Sequence, residues 1–408
     1  MRYHFNRDTK LFLLSTLLFG FSFSVWNLFF NLYILSLGFN SDILGIIRFA
    51  MPLAALILGL PLGILSDRIG RRTSMLIGLA VSLIGMFFEI RLLNPFMIFL
   101  FGLVSGVGVM LYSVSQPPFI MSISERENQA MIFSLNFGLL TVASTIGNLI
   151  AGLLPGVLES NLGLVQGTAE SYRWVITAGI LLAATSLIPI LLISKEETSP
   201  ANGTSQTPLR LIFRKAVKQP ITRQLALINI LTGCGASLLV PYLNVFLRGK
   251  FGVGDDVLGI IYSISSLLVF IASMTSPWLV RITHSRIIPT VTTESISVLF
   301  LLILGFSPVL PIAIISMLLR AALMQMSSPL LSNFAMIICP PEEQGIITSV
   351  RRIGWQIGQA IGVLTSGFIQ TRFGFSPLFI STSLLYTVAI TLTWVYFRPI
   401  EKENQYAG

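Results

Sequence analysis

The stretch Gly63-Ile64-Leu65-Ser66-Asp67-Arg68-Ile69-Gly70-Arg71-Arg72 crowds one acid and three arginines into a turn between two long apolar runs. The chain around it has 408 residues, of which 54% are hydrophobic and 11% charged. A soluble domain carries about 25% charged residues. So dense a charged turn in such a chain acts as a topology signal, a moving part, or both.

Outward from this turn, apolar runs recur along the chain. A bilayer core needs roughly 20 such residues per helix. The pattern predicts an all-α membrane protein with twelve transmembrane helices, here spans 1 to 12, at 11–37, 42–66, 73–93, 96–121, 130–155, 173–193, 223–247, 255–280, 287–306, 310–338, 344–370 and 375–397. Open sheets cannot cross lipid, and the period-2 alternation of a barrel strand is absent. With the N-terminus cytoplasmic, 17 of the 26 Lys and Arg lie inside, 5 outside and 4 within spans. That asymmetry follows the positive-inside rule. It accounts for the net charge of +9 without nucleic acid, and it places both termini in the cytoplasm of a cell-membrane protein. The first apolar run is too long for a signal-peptide core and lacks a cleavage pattern, so it is read as a retained span. Cys234 and Cys339 read as free thiols, and the acceptor pattern Asn202-Gly203-Thr204 falls on the cytoplasmic side.

A polar stretch near the midpoint predicts three regions: a six-helix bundle at 1–193, a cytoplasmic linker at 194–222 and a second bundle at 223–408. Within the linker, 209–218 is either a basic amphipathic helix on the inner leaflet or an irregular tether. The halves repeat. Gly20 and Asn31 match Gly233 and Asn244, 213 residues on. Asp42-Ile-Leu-Gly-Ile-Ile47 matches Asp256-Val-Leu-Gly-Ile-Ile261. Gly138, Gly147 and Gly152 match Gly354, Gly362 and Gly367 with one gap, and Ser115-Gln-Pro117 matches Ser327-Ser-Pro329. Six spans per repeat keep both halves in one orientation, as in parallel-repeat transporters.

The motif Gly63-x-x-x-Asp67-Arg68-x-Gly70-Arg71-Arg72, between spans 2 and 3 of a duplicated twelve-span chain, resembles the signature of the major facilitator superfamily. The resemblance covers the whole chain. It implies alternating access through a cavity lined by spans 1, 4, 7 and 10. It also implies that Asp67 meets the amino-terminal end of span 11 as a cytoplasmic latch. A helix N-terminus stabilises an anion by roughly 0.3–1 kcal/mol. Arg68, Arg71 and Arg72 are expected to organise Asp67 and the nearby Glu125 and Arg126, while Gly63 and Gly70 allow close approach and a tight turn. The equivalent second-half turn, from Ser276 to Arg286, has lost the acid and the glycines, so a second latch is not expected. The resemblance further implies a small-molecule substrate, a coupling proton or ion where transport is driven, and a monomer as the working unit.

Arginine inside a bilayer is costly and therefore a functional candidate. Arg320 lies about nine residues into span 10, roughly 14 Å deep at 1.5 Å per residue. Arg352, Gln356 and Gln359 share one face of span 11, where Arg351 and Trp355 are spaced to stack. Arg48 is the fourth intramembrane arginine. An anion site on Arg320 and Arg352, and arginines satisfied by interface carbonyls, are both open readings. Asn27 and Asn31 on span 1, Tyr242 and Asn244 on span 7, and Gln116 and Gln325 beside the proline breaks expected in spans 4 and 10 complete the candidate substrate site, since paired Pro-interrupted segments point to a binding site. The alternative for these is helix–helix hydrogen bonding. Spans 1, 4, 7 and 10 hold no Asp or Glu between their ends, and Glu89 and Glu294 read as structural.

Gly138 and Gly147, with Ala151-Gly152 and Pro155-Gly156, half-match a span 5 pattern seen in exporters of the family. The match leans toward efflux of amphipathic or anionic compounds. An organic-anion importer using Arg320 as counter-ion, and a non-transporting sensor or scaffold, are the alternatives. No metal cluster, nucleophile motif or phosphate loop is present, so neither an enzyme nor a cofactor or metal is expected.

Overall fold

The structure, a computed structural model, describes residues 5–124, 128–194, 219–339 and 344–406. Glu125 and Arg126 lie outside these residues, as do most of the linker and its 209–218 segment.

The described residues form α1 (Arg7–Ser36), α2 (Ser41–Ile69), α3 (Arg71–Glu89), α4 (Pro95–Ile123), α5 (Gln129–Leu162), α6 (Ala169–Thr185) and α7 (Leu187–Leu192) before the linker. After it come α8 (Pro220–Leu239), a 3₁₀ turn at Val240–Tyr242, α9 (Leu243–Phe251), α10 (Asp255–Thr283), α11 (Ile287–Phe306), α12 (Leu310–Ile337), α13 (Gln344–Phe373) and α14 (Ser376–Tyr406). Span 6 is therefore the pair α6 and α7, and span 7 is α8, the 3₁₀ turn and α9. Among the described residues, eleven spans are long and apolar enough to cross a membrane. The twelfth long helix, α13, carries Arg351, Arg352, Gln356 and Gln359, which lower its hydropathy.

Local chemistry sets the ends. Asn6 caps α1 by accepting from the Thr9 amide at 2.8 Å. Asn94 precedes Pro95 and accepts from the Phe96 amide at 2.9 Å. Thr168 caps α6 at Ser171. Gly163, in the left-handed region, ends α5. The prolines expected to interrupt spans 4 and 10 do not: Pro117 and Pro118 lie inside α4, and Pro329 lies inside α12. A spanning helix tolerates proline where neighbouring helices and side chains take up the freed backbone groups. The irregular backbone sits instead at Pro241, in span 7.

The described residues divide into two compact units. One holds those up to 194 together with 244–266; the other holds 219–243 with 267–406. In the first unit, small residues let backbones touch. A Cβ on Gly85 would lie 2.5 Å from the Ser105 amide, and one on Gly78 would lie 2.7 Å from that of Tyr112, so spans 3 and 4 interlock. Gly20 seats against Ala143 of span 5, and Gly147 against Ser24 of span 1. In the second unit, Gly354, Gly358 and Gly362 recur every four residues and meet the main chain of Ala226, Ile230 and Cys234. Span 11 thus lies on span 7 through a small-residue stripe, as span 5 lies on span 1. A second core gathers Leu225, Ile287, Phe334, Ile347 and Phe397.

Candidate functional site

The motif turn is a glycine-dependent joint. Gly70 has φ +89° and ends α2 where α3 begins, a conformation open to glycine at little cost. Ser74 donates to the Gly70 carbonyl at 2.8 Å, and Ser66 pairs with Ser115 of span 4 at 2.7 Å. The arginines do not hold Asp67. Arg71 Nη1 donates to the Pro118 carbonyl at 3.0 Å. Arg72 donates from Nε to the Ile190 carbonyl at 3.1 Å and from Nη2 to the Leu191 carbonyl at 2.6 Å. Arg72 satisfies carbonyls at the end of α7, where orphan acceptors are available, whereas Arg71 bonds a carbonyl inside α4. Asp67 and Arg68 are exposed and make no hydrogen bond or ion pair with a described residue. A Cβ at Gly63 would meet open space, so the close approach expected there is not made.

The two repeat-related asparagines meet. Asn31 Nδ2 donates to Asn244 Oδ1 at 3.4 Å, and Asn244 Nδ2 donates to the Leu28 carbonyl at 2.7 Å. Arg48 Nε donates to Asn31 Oδ1 at 2.6 Å, with its guanidinium 5.1 Å from the centre of the Phe30 ring, itself stacked on Trp26. The Val245 amide donates to Asn244 Oδ1 at 2.9 Å. Asn31 and Asn244 are fully buried, and their side-chain amides are engaged within the protein in this conformation. Asn27, one turn earlier, is exposed.

In the second unit Arg320 is 5% exposed. Its Nη2 donates to the Tyr386 hydroxyl at 3.0 Å, and Ser297 of span 9 donates to its carbonyl at 3.0 Å. Its Nε is buried without a hydrogen-bond partner. The guanidinium therefore faces span 12. Tyr242 is buried and donates to the Val363 carbonyl at 3.3 Å. On span 11, Arg352 is exposed, while Gln356 and Gln359 are half-buried; Gln356 Oε1 has no partner. Arg351 does not stack on Trp355. It donates to Ser332 of span 10 at 3.3 Å. Gln116 and Gln325 are half-buried on spans 4 and 10. Glu89 is buried and accepts from Ser105 at 2.6 Å, while Arg91 lies over the Phe87 ring.

Two clusters carry groups that the sequence did not single out. Asp255, at the start of span 8, is buried. Its Oδ1 accepts from the Tyr172 hydroxyl at 2.8 Å and pairs with Arg248 Nη1 at 2.5 Å, and Arg248 also reaches the Tyr172 oxygen. Glu401, near the end of span 12, receives the amides of Arg286 and Ile287, the Ser285 hydroxyl and the Arg398 guanidinium. The match of Asp42 to Asp256 drew attention one residue past Asp255. Apart from Arg398, three residues earlier, the partners of Glu401 lie more than a hundred residues away.

The geometry belongs to a helical membrane carrier, and the comparisons agree. The chain matches the Major Facilitator Superfamily profile over residues 12–363 and 225–407. No curated protein matches it by sequence. Among solved structures it is similar to the nucleoside transporter NupG, at TM-score 0.73 and 16% identity, covering 96% of this chain and 98% of that one. A bacterial homologue of the human lysosomal transporter Spinster superposes at TM-score 0.73 and 15% identity, covering 96% of each chain. The D-xylose–proton symporter superposes at TM-score 0.72 and 16% identity, covering 95% and 97%. The chain belongs to the major facilitator superfamily of membrane transporters.

Proposed function

We propose that the protein moves a small organic solute across the cytoplasmic membrane by alternating access, with both termini inside, and that it exports amphipathic or anionic compounds. The 1–193 and 223–408 repeats are the proposed working halves. The observation that carries the substrate class is Arg352, exposed eight residues into α13 with Gln356 and Gln359 along the same face. A cation kept on a spanning helix, in a chain whose spans 1, 4, 7 and 10 lack interior acids, suits an anionic group. Asp67, exposed and without a described partner, supports a role as the mobile contact of the motif turn, with Gly63, Arg68, Gly70, Arg71 and Arg72 as its frame. The half-match of span 5 supports the outward direction.

An organic-anion importer with Arg320 as counter-ion is the second reading. It is favoured by the buried, unpartnered Nε of that side chain. The solved neighbours carry nucleosides and sugars, some with protons. The proposal takes from them a coupling proton, for which Glu89 and Glu294 are buried carboxylates inside spans.

The test is thermal stabilisation of purified wild type, Arg352→Gln and Arg320→Gln by organic anions, neutral amphiphiles and lipophilic cations. A ligand at a hundredfold excess over its Kd adds about 2.7 kcal/mol. Anion stabilisation lost only in Arg352→Gln supports the first reading, and loss only in Arg320→Gln supports the second. Cations that stabilise all three forms equally would overturn the anion assignment.

A further inference from the structure

The second unit holds α10 from Leu267 onward. Leu267, Ile271, Met274 and Trp278 recur there at i, i+4, i+7 and i+11, so they share one face, and all four are exposed. α10 is long and apolar enough to cross a membrane, so acyl chains meet that face. The face ends on a charge. Arg281, three residues past Trp278, continues it within the last turn of the helix. It stands roughly 21 Å along the axis from Leu267, at 1.5 Å per residue. The stripe therefore leads out of hydrocarbon to the polar edge of the bilayer. Trp278, 61% exposed, lies just before that edge, the level at which an indole ring is favoured.

Arg281 has no acid to answer it. It is exposed and makes no hydrogen bond or ion pair with a described residue. No Asp or Glu stands in the sequence between Asp256 and Glu294. The acid that reaches this turn from elsewhere, Glu401, is already engaged by Ser285, the Arg286 and Ile287 amides and Arg398. Arg286 is turned toward Asn333. Arg398 lies 5.9 Å from the centre of the Trp394 ring, a second exposed indole near this end of the unit. The equivalent turn of the first unit differs, since it carries Asp67 beside Arg68. The helix dipole favours a cation in the last turn of α10. It calls for neither the exposed tryptophan on the same face nor a neighbourhood without acids.

We propose that Trp278 and Arg281 form a binding site for an anionic phospholipid. The Arg281 guanidinium takes the phosphate oxygens, as a planar fork of donors suits a phosphate. Trp278 packs at the glycerol level, and the face from Leu267 to Met274 carries an acyl chain. A phospholipid fits better than a free anion because the cation stands at the end of an apolar stripe. With both termini inside, as proposed above, the lipid belongs to the inner leaflet, whose surface is negative. The leaflet rests on that reading; the headgroup chemistry rests on the exposed arginine and its face alone.

The test uses the full chain in an uncharged detergent and counts bound lipid by native mass spectrometry. Phosphatidylglycerol is the probe, with phosphatidylcholine and inorganic phosphate beside it. Wild type should take up phosphatidylglycerol at lower concentration than phosphatidylcholine. Arg281→Gln should raise the half-saturating concentration of phosphatidylglycerol about fivefold, the worth of one arginine at a charged surface. Trp278→Ala should weaken the two lipids by equal factors, since the indole meets the part they share. Arg372→Gln, an exposed basic residue at the opposite end of the same unit, should stay within about twofold of wild type, the bound of an interaction without net worth. A loss in Arg281→Gln no larger than in Arg372→Gln would overturn the site, as would equal uptake of both lipids by wild type. Inorganic phosphate that displaces the lipid fully would overturn the phospholipid in favour of a free anion. Should Arg281→Gln fail to fold, the preference of wild type for phosphatidylglycerol and its loss at high salt decide instead. Binding is read without solute, so failure of every solute to stabilise the protein would count against the proposed substrate class and leave this measurement untouched.

Discussion

The turn from Gly63 to Arg72 and the turn from Pro277 to Arg286 occupy equivalent places 214 residues apart, and they solve the same backbone problem with different chemistry. Gly70 takes φ +89° in the first, and His284, at the matching position, takes φ +48° in the second. Arg72 and its counterpart Arg286 both reach across to another helix, one to the Ile190 and Leu191 carbonyls and the other to Asn333 Oδ1 at 2.8 Å. The acids part company. Asp67 is exposed with no described partner, whereas Arg281 stands at the equivalent position. The second turn receives its carboxylate from elsewhere. Glu401 is 4% exposed and accepts the first amides of span 9, capping that helix as a fixed staple. One repeat keeps an exposed acid on the turn itself, and the other has a buried acid docked onto it. Equivalent turns can thus diverge, one keeping an exposed acid and the other stapled by a buried one, through the position of a single carboxylate.

The comparison is broken most sharply by removing the two acids. Glu401→Ala should destabilise the protein by about 3–5 kcal/mol, because Arg398 and two helix-end amides lose a buried partner. Asp67→Asn should change stability by less than about 0.5 kcal/mol, as expected of an exposed surface position. Thermal unfolding of the two purified variants beside wild type measures the contrast. Equal losses would mean that Asp67 is held as firmly as Glu401.

A smaller effect is expected at Arg72. Arg72→Gln removes two charge-assisted bonds to the end of span 6 and should cost about 1.5–3 kcal/mol. Arg286→Gln, with one bond to an exposed asparagine, should cost less than half of that. Denaturation midpoints of both variants give the ratio, and a larger loss at Arg286 would invert the reading.

The smallest effects concern the joints themselves. Gly70→Ala should cost about 1–2 kcal/mol, since alanine resists a left-handed φ. His284→Gly should gain about 0.4–1 kcal/mol or change nothing, because the strain removed is offset by a freer unfolded chain. A fall in melting temperature for Gly70→Ala and none for His284→Gly are the expected outcome. A stabilising Gly70→Ala would show that the turn relaxes out of its present φ.

Much of the fold was legible along the chain. Lipid obliges a spanning segment to satisfy its own backbone, so long apolar runs read as helices. The repeat showed in spaced matches such as Asn31 with Asn244, and the tight turn in Gly70. The proline readings of spans 4 and 10 failed because a helix packed among helices absorbs a proline that would end one in water. Arg351 with Trp355 failed because spacing on a helix shows which side chains could meet, not which alternative partner is nearer.

By itself, the sequence determined the helical class, the long apolar spans and the family, because these follow from hydropathy, periodicity and motif spacing within short windows. Only the tertiary structure revealed that Arg71 and Arg72 serve carbonyls, that Arg320 faces Tyr386, that Asp255 joins Tyr172 and Arg248, and that Glu401 caps span 9. Main-chain acceptors carry no residue signature, and those side-chain partners stand from 7 to more than 110 positions apart. Which of them meet depends on how whole helices pack, a property of all the contacts together and of no single stretch.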